Sequence, residues 1–231
     1  MTDDELRRAV LDANLDTVRH GLVISTFGNA SGIDRNAGRI LIKPSGVAYD
    51  RLTPADMVPC DLDGRSLDNR LRPSSDLATH AVLYRAFADI GGVVHTHSTY
   101  ATIMAQSHRP IPCLGTTHAD YFHGTIPVTR DLTAEEIAQD YVGNTGAVIV
   151  ETFADLDPLA IPAVLVAGHG PFTWGRTPAE AVHNALILEQ VAKMAWHAMA
   201  LNPDPQPISQ ALLDRHFLRK HGAQATYGQD G

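Results

Sequence analysis

The segment GGVVHTHS carries two histidines, His95 and His97, separated by one residue. Its apolar run reads as a strand over 93–97, and on a strand residues i and i+2 share a face. Two neutral imidazoles projecting together suit zinc or a related divalent ion. A polar strand end explains the pair equally well, because 12 histidines in the chain make a chance H-x-H unsurprising. His169 adds weight to the metal reading. It lies in AGHGPF, where the chain leaves the apolar segment 163–167 between Gly168 and Gly170. A third imidazole at a strand end would complete an open three-histidine set, the pattern of a catalytic ion. The alternative is that the glycines only serve a tight turn.

Asp76 follows Pro73-Ser74-Ser75 and precedes a helical apolar pattern. As a helix start these residues need no further role, yet the same geometry makes an anion site. Lys43-Pro44-Ser45-Gly46 is a second cluster of that kind, with a cation. Neither matches a P-loop, so a small phosphate ester fits better than a nucleotide. Asp120 sits in the polar run TTHADYF, where a carboxylate could move protons or cap a turn. Tyr227, close to the C-terminus, reads as tail unless its phenol reaches an activated site.

The elements that must position these residues alternate between helix and strand, which predicts an α/β layered domain. Thr2 and Glu5 form a capping-box signature for a first helix ending near His20-Gly21. Further helices are expected from Ser75 to before Gly91, over 98–106, from about Thr133, from Thr177 to Leu201 with proline in the first turn, and over 208–220. Strands are expected at 39–43, 93–97, 147–151 (AVIVE) and 163–167.

A chain of 231 residues, 44% hydrophobic, suffices for one sizeable core, so residues 1–231 read as a single domain. The longest apolar runs are too short to cross a membrane, and the charged start MTDDELRRAV does not resemble a secretory signal. A net charge of −8 argues against nucleic acid and anionic membrane as partners. Cys60 and Cys113, far apart, read as reduced thiols in a cytoplasmic protein.

Taken together, TFGNASG (26–32), IKPSGV (42–47), RPSSDLATH (72–80), GGVVHTHS (91–98), GTTHADYFHGTIPVTR (115–130), VIVETF (148–153), HGPFTWG (169–175), AVHNALILE (181–189) and LRKHGAQATYGQ (218–229) resemble the class II aldolase/epimerase family over nearly the whole chain. The resemblance implies a single α/β domain with a central, mainly antiparallel sheet flanked by helices, assembled as a homotetramer with its site at a subunit interface. It implies a zinc or manganese ion on His95, His97 and His169, with Asp76 at the acidic metal-site position. Gly28, Asn29, Ser45, Gly46, Ser74 and Ser75 would hold a sugar phosphate, with Lys43 adding charge. Asp120 and Tyr227 would be the acid/base pair, Tyr227 reaching a neighbouring subunit's site. His216, as a further substrate contact, would line that interface with Arg219-Lys220-His221.

The likeness is stronger to the family's epimerases than to its aldolases, which are expected to carry Glu where this chain has Asp76. It implies conversion of L-ribulose 5-phosphate to D-xylulose 5-phosphate by retro-aldol cleavage and re-addition. A deoxysugar-phosphate aldolase is the alternative. A non-catalytic binding protein would be expected to have lost Asp120 and Tyr227, and both are present. Phe27, where the epimerases often have Trp, and Val142, where some carry an acid, are departures bearing on substrate preference.

Overall fold

Thr2 and Glu5 start the first helix as expected. The Thr2 hydroxyl accepts the Glu5 backbone N–H at 3.3 Å and the Glu5 carboxylate takes the Thr2 N–H at 2.7 Å. The computed structural model describes residues 2–222 and residue 225. In chain order they form α1 (Asp3–Arg19), β1 (Asn29–Asp34), β2 (Arg39–Ile42), β3 (Val58–Asp61), α2 (Leu77–Ala86), β4 (Gly92–His95), α3 (Thr99–Gln106), α4 (Thr116–Ala119), α5 (Ala134–Thr152), β5 (Ala163–Leu165), β6 (Pro171–Gly175), α6 (Pro178–Leu201) and α7 (Gln210–His221). The strands make one six-stranded sheet in the order β3-β2-β1-β4-β6-β5, with every neighbouring pair antiparallel.

Strand alternation divides the core between the two faces of this sheet. Ala30 and Val94 pack with Ala13 of α1 and with Ala181, Val182 and Ala185 of α6. Ile40, Ile42, Val93, Phe172 and Trp174 belong to the opposite, larger cluster, with Leu77, Ala81 and Tyr84 of α2 and Ile149 of α5. Trp174 is fully buried and its indole N–H donates to the Pro158 carbonyl at 2.6 Å. Truncating such a side chain to alanine typically costs about 3–5 kcal/mol. His95 and Asn29 are register partners on β4 and β1 and point to the α2 face, the face on which the site is built.

Two features depart from the expected elements. AVIVE (147–151) is the end of α5, not a strand. Burial there falls on Thr145, Gly146, Val148 and Ile149, a helical rhythm set by packing against α2. Short apolar runs do not distinguish the two conformations by themselves. Strands β1, β3 and β6 were not anticipated. NASGID in β1 is poor in strand formers, and its small side chains instead fit a crowded position: a Cβ on Gly32 would strike Leu6, Val10 and Pro178.

Candidate metal centre

His95 ends β4, and its neighbours across the sheet are Asn29 on one side and Phe172 on the other. The Phe172 ring forms a floor under the imidazole, with centroids 4.2 Å apart and planes 20° from parallel. His97 lies two residues beyond the end of β4, so the same-face rule for a strand is not what aims it. His169 comes from the turn joining β5 to β6. Val166 N–H to Gly170 O at 3.0 Å and His169 N–H to Val166 O at 3.0 Å hold that turn. The three histidines meet, each offering a ring nitrogen within 4.8 Å of the others.

Their chemistry fits a divalent cation. The Nδ1 of His95 is 2.9 Å from the Pro171 carbonyl, which can only accept, so Nδ1 carries the hydrogen and Nε2 presents a lone pair. The Nε2 of His97 lies 3.1 Å from that same atom. Burial disfavours the charged form of His95 and His169. It lowers the His95 pKa, against the opposing pull of Asp76 and Pro171. Burial, then repulsion from His95 and His97, brings His169 down to about 4. Neutral imidazoles converging on one point are the donor set a zinc-like ion requires.

Asp76 occupies the position before α2, but its side chain makes no cap hydrogen bond. The carboxylate instead accepts Asn29 Nδ2 at 2.6 Å. Burial pushes its pKa up, but the adjacent His95 and His80 rings and the Asn29 hydrogen bond outweigh this and hold it below the usual range. Asp76 is not part of the tight three-histidine group.

A cleft of about 370 Å³ opens above the trio. Its walls include Gly28, Asn29, Lys43, Ser45, Gly46, Ser74, Ser75 and Asp76 together with all three histidines. The two serine loops converge because their backbones are stitched: Ser45 N–H to Arg72 O and Ser74 N–H to Lys43 O, both at 2.9 Å. Lys43 is only 2% exposed, with its ammonium 4.7 Å from the centre of the Tyr49 ring. Burial lowers its pKa. A cation, hydroxyls and loop backbone around one concavity suit a phosphate monoester.

Asp120 and His216 are not among the cleft walls. They meet each other instead, His216 Nδ1 lying 3.0 Å from the Asp120 carboxylate. Arg219 donates to both carboxylate oxygens at 3.0 Å, and Lys220 is 3.5 Å away. Burial raises the Asp120 pKa, but the hydrogen bonds from His216 and Arg219 and the Lys220 charge prevail and lower it. Tyr227 lies outside the described residues. Tyr141 and Phe172, which touch His169 and His95, carried no sequence signal of a site.

The pattern of the family described as Class II Aldolase and Adducin N-terminal domain matches residues 8–196. The chain belongs to this family. Among class II aldolase relatives, it is 53% identical over 225 residues to an L-ribulose-5-phosphate 4-epimerase UlaF of Salmonella paratyphi A (strain ATCC 9150 / SARB42), covering 97% of this chain and 99% of that protein. A protein of the same name from Salmonella typhi matches to the same extent. Among solved structures, an L-fuculose 1-phosphate aldolase superposes with a TM-score of 0.77 at 23% identity, covering 92% of this chain and 94% of that one. YgbL of Escherichia coli, titled a putative aldolase/epimerase/decarboxylase, does so at 0.71 and 22% identity, over 92% and 98% of the chains. At such identities these structures support the class II aldolase fold alone. Among the described residues, no helix is long and apolar enough to cross a membrane.

Proposed function

We propose that this chain is a metal-dependent L-ribulose-5-phosphate 4-epimerase, forming D-xylulose 5-phosphate by breaking and re-forming the C3–C4 bond. One observation carries the reading: the 53% identity to named epimerases extends over 97% of this chain. His95, His97 and His169 hold zinc or manganese, and Asp76 adds negative charge beside them. The bound ion supplies Lewis acidity toward the ketose carbonyl.

The chain's own residues do the rest. Lys43, Ser45, Gly46, Ser74 and Ser75 grip the phosphate, while Gly28 and Asn29 line the sugar side of the cleft. Asp120, kept ionised by its cationic neighbours, accepts the proton of the C4 hydroxyl. Cleavage leaves the C3–C4 electron pair on a three-carbon enediolate and releases the other half as glycolaldehyde phosphate. The grip on the phosphate retains this aldehyde while it turns its other face, and the enediolate carbon adds to it, re-forming the C3–C4 bond and leaving a C4 alkoxide. Tyr227 then returns a proton on the opposite side of C4, which is what inversion requires.

Because Asp120 and His216 stand off the cleft of their own protomer, they serve the cleft of a neighbouring copy, with Tyr227 from the tail. A cytoplasmic homotetramer, each chain acting as one domain over 1–231, is therefore part of the proposal. The test is an assay of L-ribulose 5-phosphate to D-xylulose 5-phosphate with and without chelator. Chelator-sensitive conversion is expected. Stoichiometric release of free glycolaldehyde phosphate would assign an aldolase instead, and no turnover of either kind would end the proposal.

A further inference from the structure

Helix α5 is broken in its middle, and the break is organised. Asp140 has φ −158° and ψ 81°, well outside helical values. Its carboxylate accepts the Gly143 backbone N–H at 3.0 Å, as a side chain does when it caps a helix start. A Cβ on Gly143 would collide with that carboxylate, so the two residues are matched. Asn144 Nδ2 reaches the Glu136 carbonyl across the break at 2.8 Å, and Thr79 of α2 ties down the Val142 carbonyl at 2.7 Å. A sharp break in a helix has an identifiable local cause, and here the Asp140 side chain supplies it.

The residue that follows the break is Tyr141. Its hydroxyl lies 3.3 Å from the Nδ1 of His169, with the rings 6.2 Å apart. Among the described residues this is the hydrogen bond found for the His169 ring. Tyr141 is not a wall of the cleft, and the reaction scheme gives it no task.

We infer that Tyr141 is a positioning residue for the metal centre, its phenol oxygen accepting the Nδ1–H of His169 and turning the other ring nitrogen toward His95 and His97. The inference rests on the metal reading of the histidine trio. A neutral imidazole has one N–H, and the nitrogen that holds it cannot bind a cation. Pro171 settles the choice for His95 through its carbonyl. His169 sits in a glycine-flanked turn, and its acceptor comes from another element. The Tyr141 hydroxyl oxygen carries lone pairs that can accept that hydrogen. The Asp140 cap, the Gly143 gap and the Thr79 tie fix where that hydroxyl stands.

Groups that orient a metal-binding histidine typically change metal affinity about 10- to 100-fold when removed. The test is zinc affinity of the full-length protein, stripped of metal and titrated against a competing fluorescent chelator. Tyr141→Phe should weaken zinc binding at least about 10-fold, and Tyr141→Leu by no more than that. Asp140→Asn, which keeps a capping oxygen, should retain affinity that Asp140→Ala loses. Wild-type affinity in Tyr141→Phe overturns the inference and leaves the metal site standing, as does loss in Tyr141→Leu alone, which would indicate packing. A wild-type protein that takes up no zinc overturns both.

Discussion

The Nδ1 of His95 lies 2.9 Å from the carbonyl oxygen of Pro171. A backbone carbonyl cannot donate, so this contact fixes the tautomer of the most buried member of the trio and leaves Nε2 free for a cation. Zinc retained after dialysis should therefore be lost in His95→Ala. Exhaustive chelation should abolish turnover of the wild type, with zinc or manganese restoring it. Full activity in demetallated protein would sink the metal-centred reading.

Asp120 is proposed to handle a proton and Lys43 to hold a phosphate, and the two tasks have different kinetic signatures. Asp120→Asn and Tyr227→Phe should each lower kcat by about 100- to 10,000-fold. Lys43→Met should act mainly on KM. Thermal midpoints measured alongside will separate catalysis from folding, since Asp120 also holds His216 and Arg219. Equal, modest effects from all three variants would contradict the assignment.

Lys43 gives a pH dependence whose sign is determined by burial. Its pKa is lowered from the ordinary lysine value, and its ammonium is charged only below that pKa. KM should therefore rise as pH increases, beginning at a lower pH than an unperturbed lysine would allow. Lys43→Met should abolish this alkaline rise. Parallel profiles for the two proteins would mean that Lys43 does not contact the substrate.

His118 predicts acid sensitivity of the fold. Burial brings its pKa down to about 4, partly offset by its bond to the Gly124 carbonyl at 2.7 Å. The unfolded chain binds the proton from about pH 6.5 downward and the folded chain does not, so stability is lost as pH falls toward 4. The slope from this group is at most about 1.4 kcal/mol per pH unit. Urea midpoints measured between pH 7.5 and 4 should fall less steeply in His118→Gln than in the wild type.

Much of the secondary structure was legible because it is decided locally. Thr2 with Glu5 and Thr177 with the following proline mark helix starts by hydrogen bonds that span only a few residues. AVIVE was misread because a five-residue apolar run satisfies either period until its packing partner is known. Strand β1 escaped notice because its small residues answer to α1 and α6 overhead, not to strand propensity.

The site divides along the same line. The identity of the donors, the serine loops and the Lys43 cation stand in the sequence, because residue type alone decides what can bind an ion or a phosphate; the burial of Lys43 does not. Their convergence does not. His97 falls beyond the end of β4, and His169 joins it only because β6 pairs with β4 and carries the preceding turn alongside. Asp76 leaves helix capping for Asn29, which faces it only through the pairing of β1 with β4. Asp120 gathers His216 and Arg219 away from the cleft, a separation that no local pattern records. Short-range hydrogen bonds and residue chemistry were written in the chain; long-range strand pairing and helix packing decided which of those groups could meet.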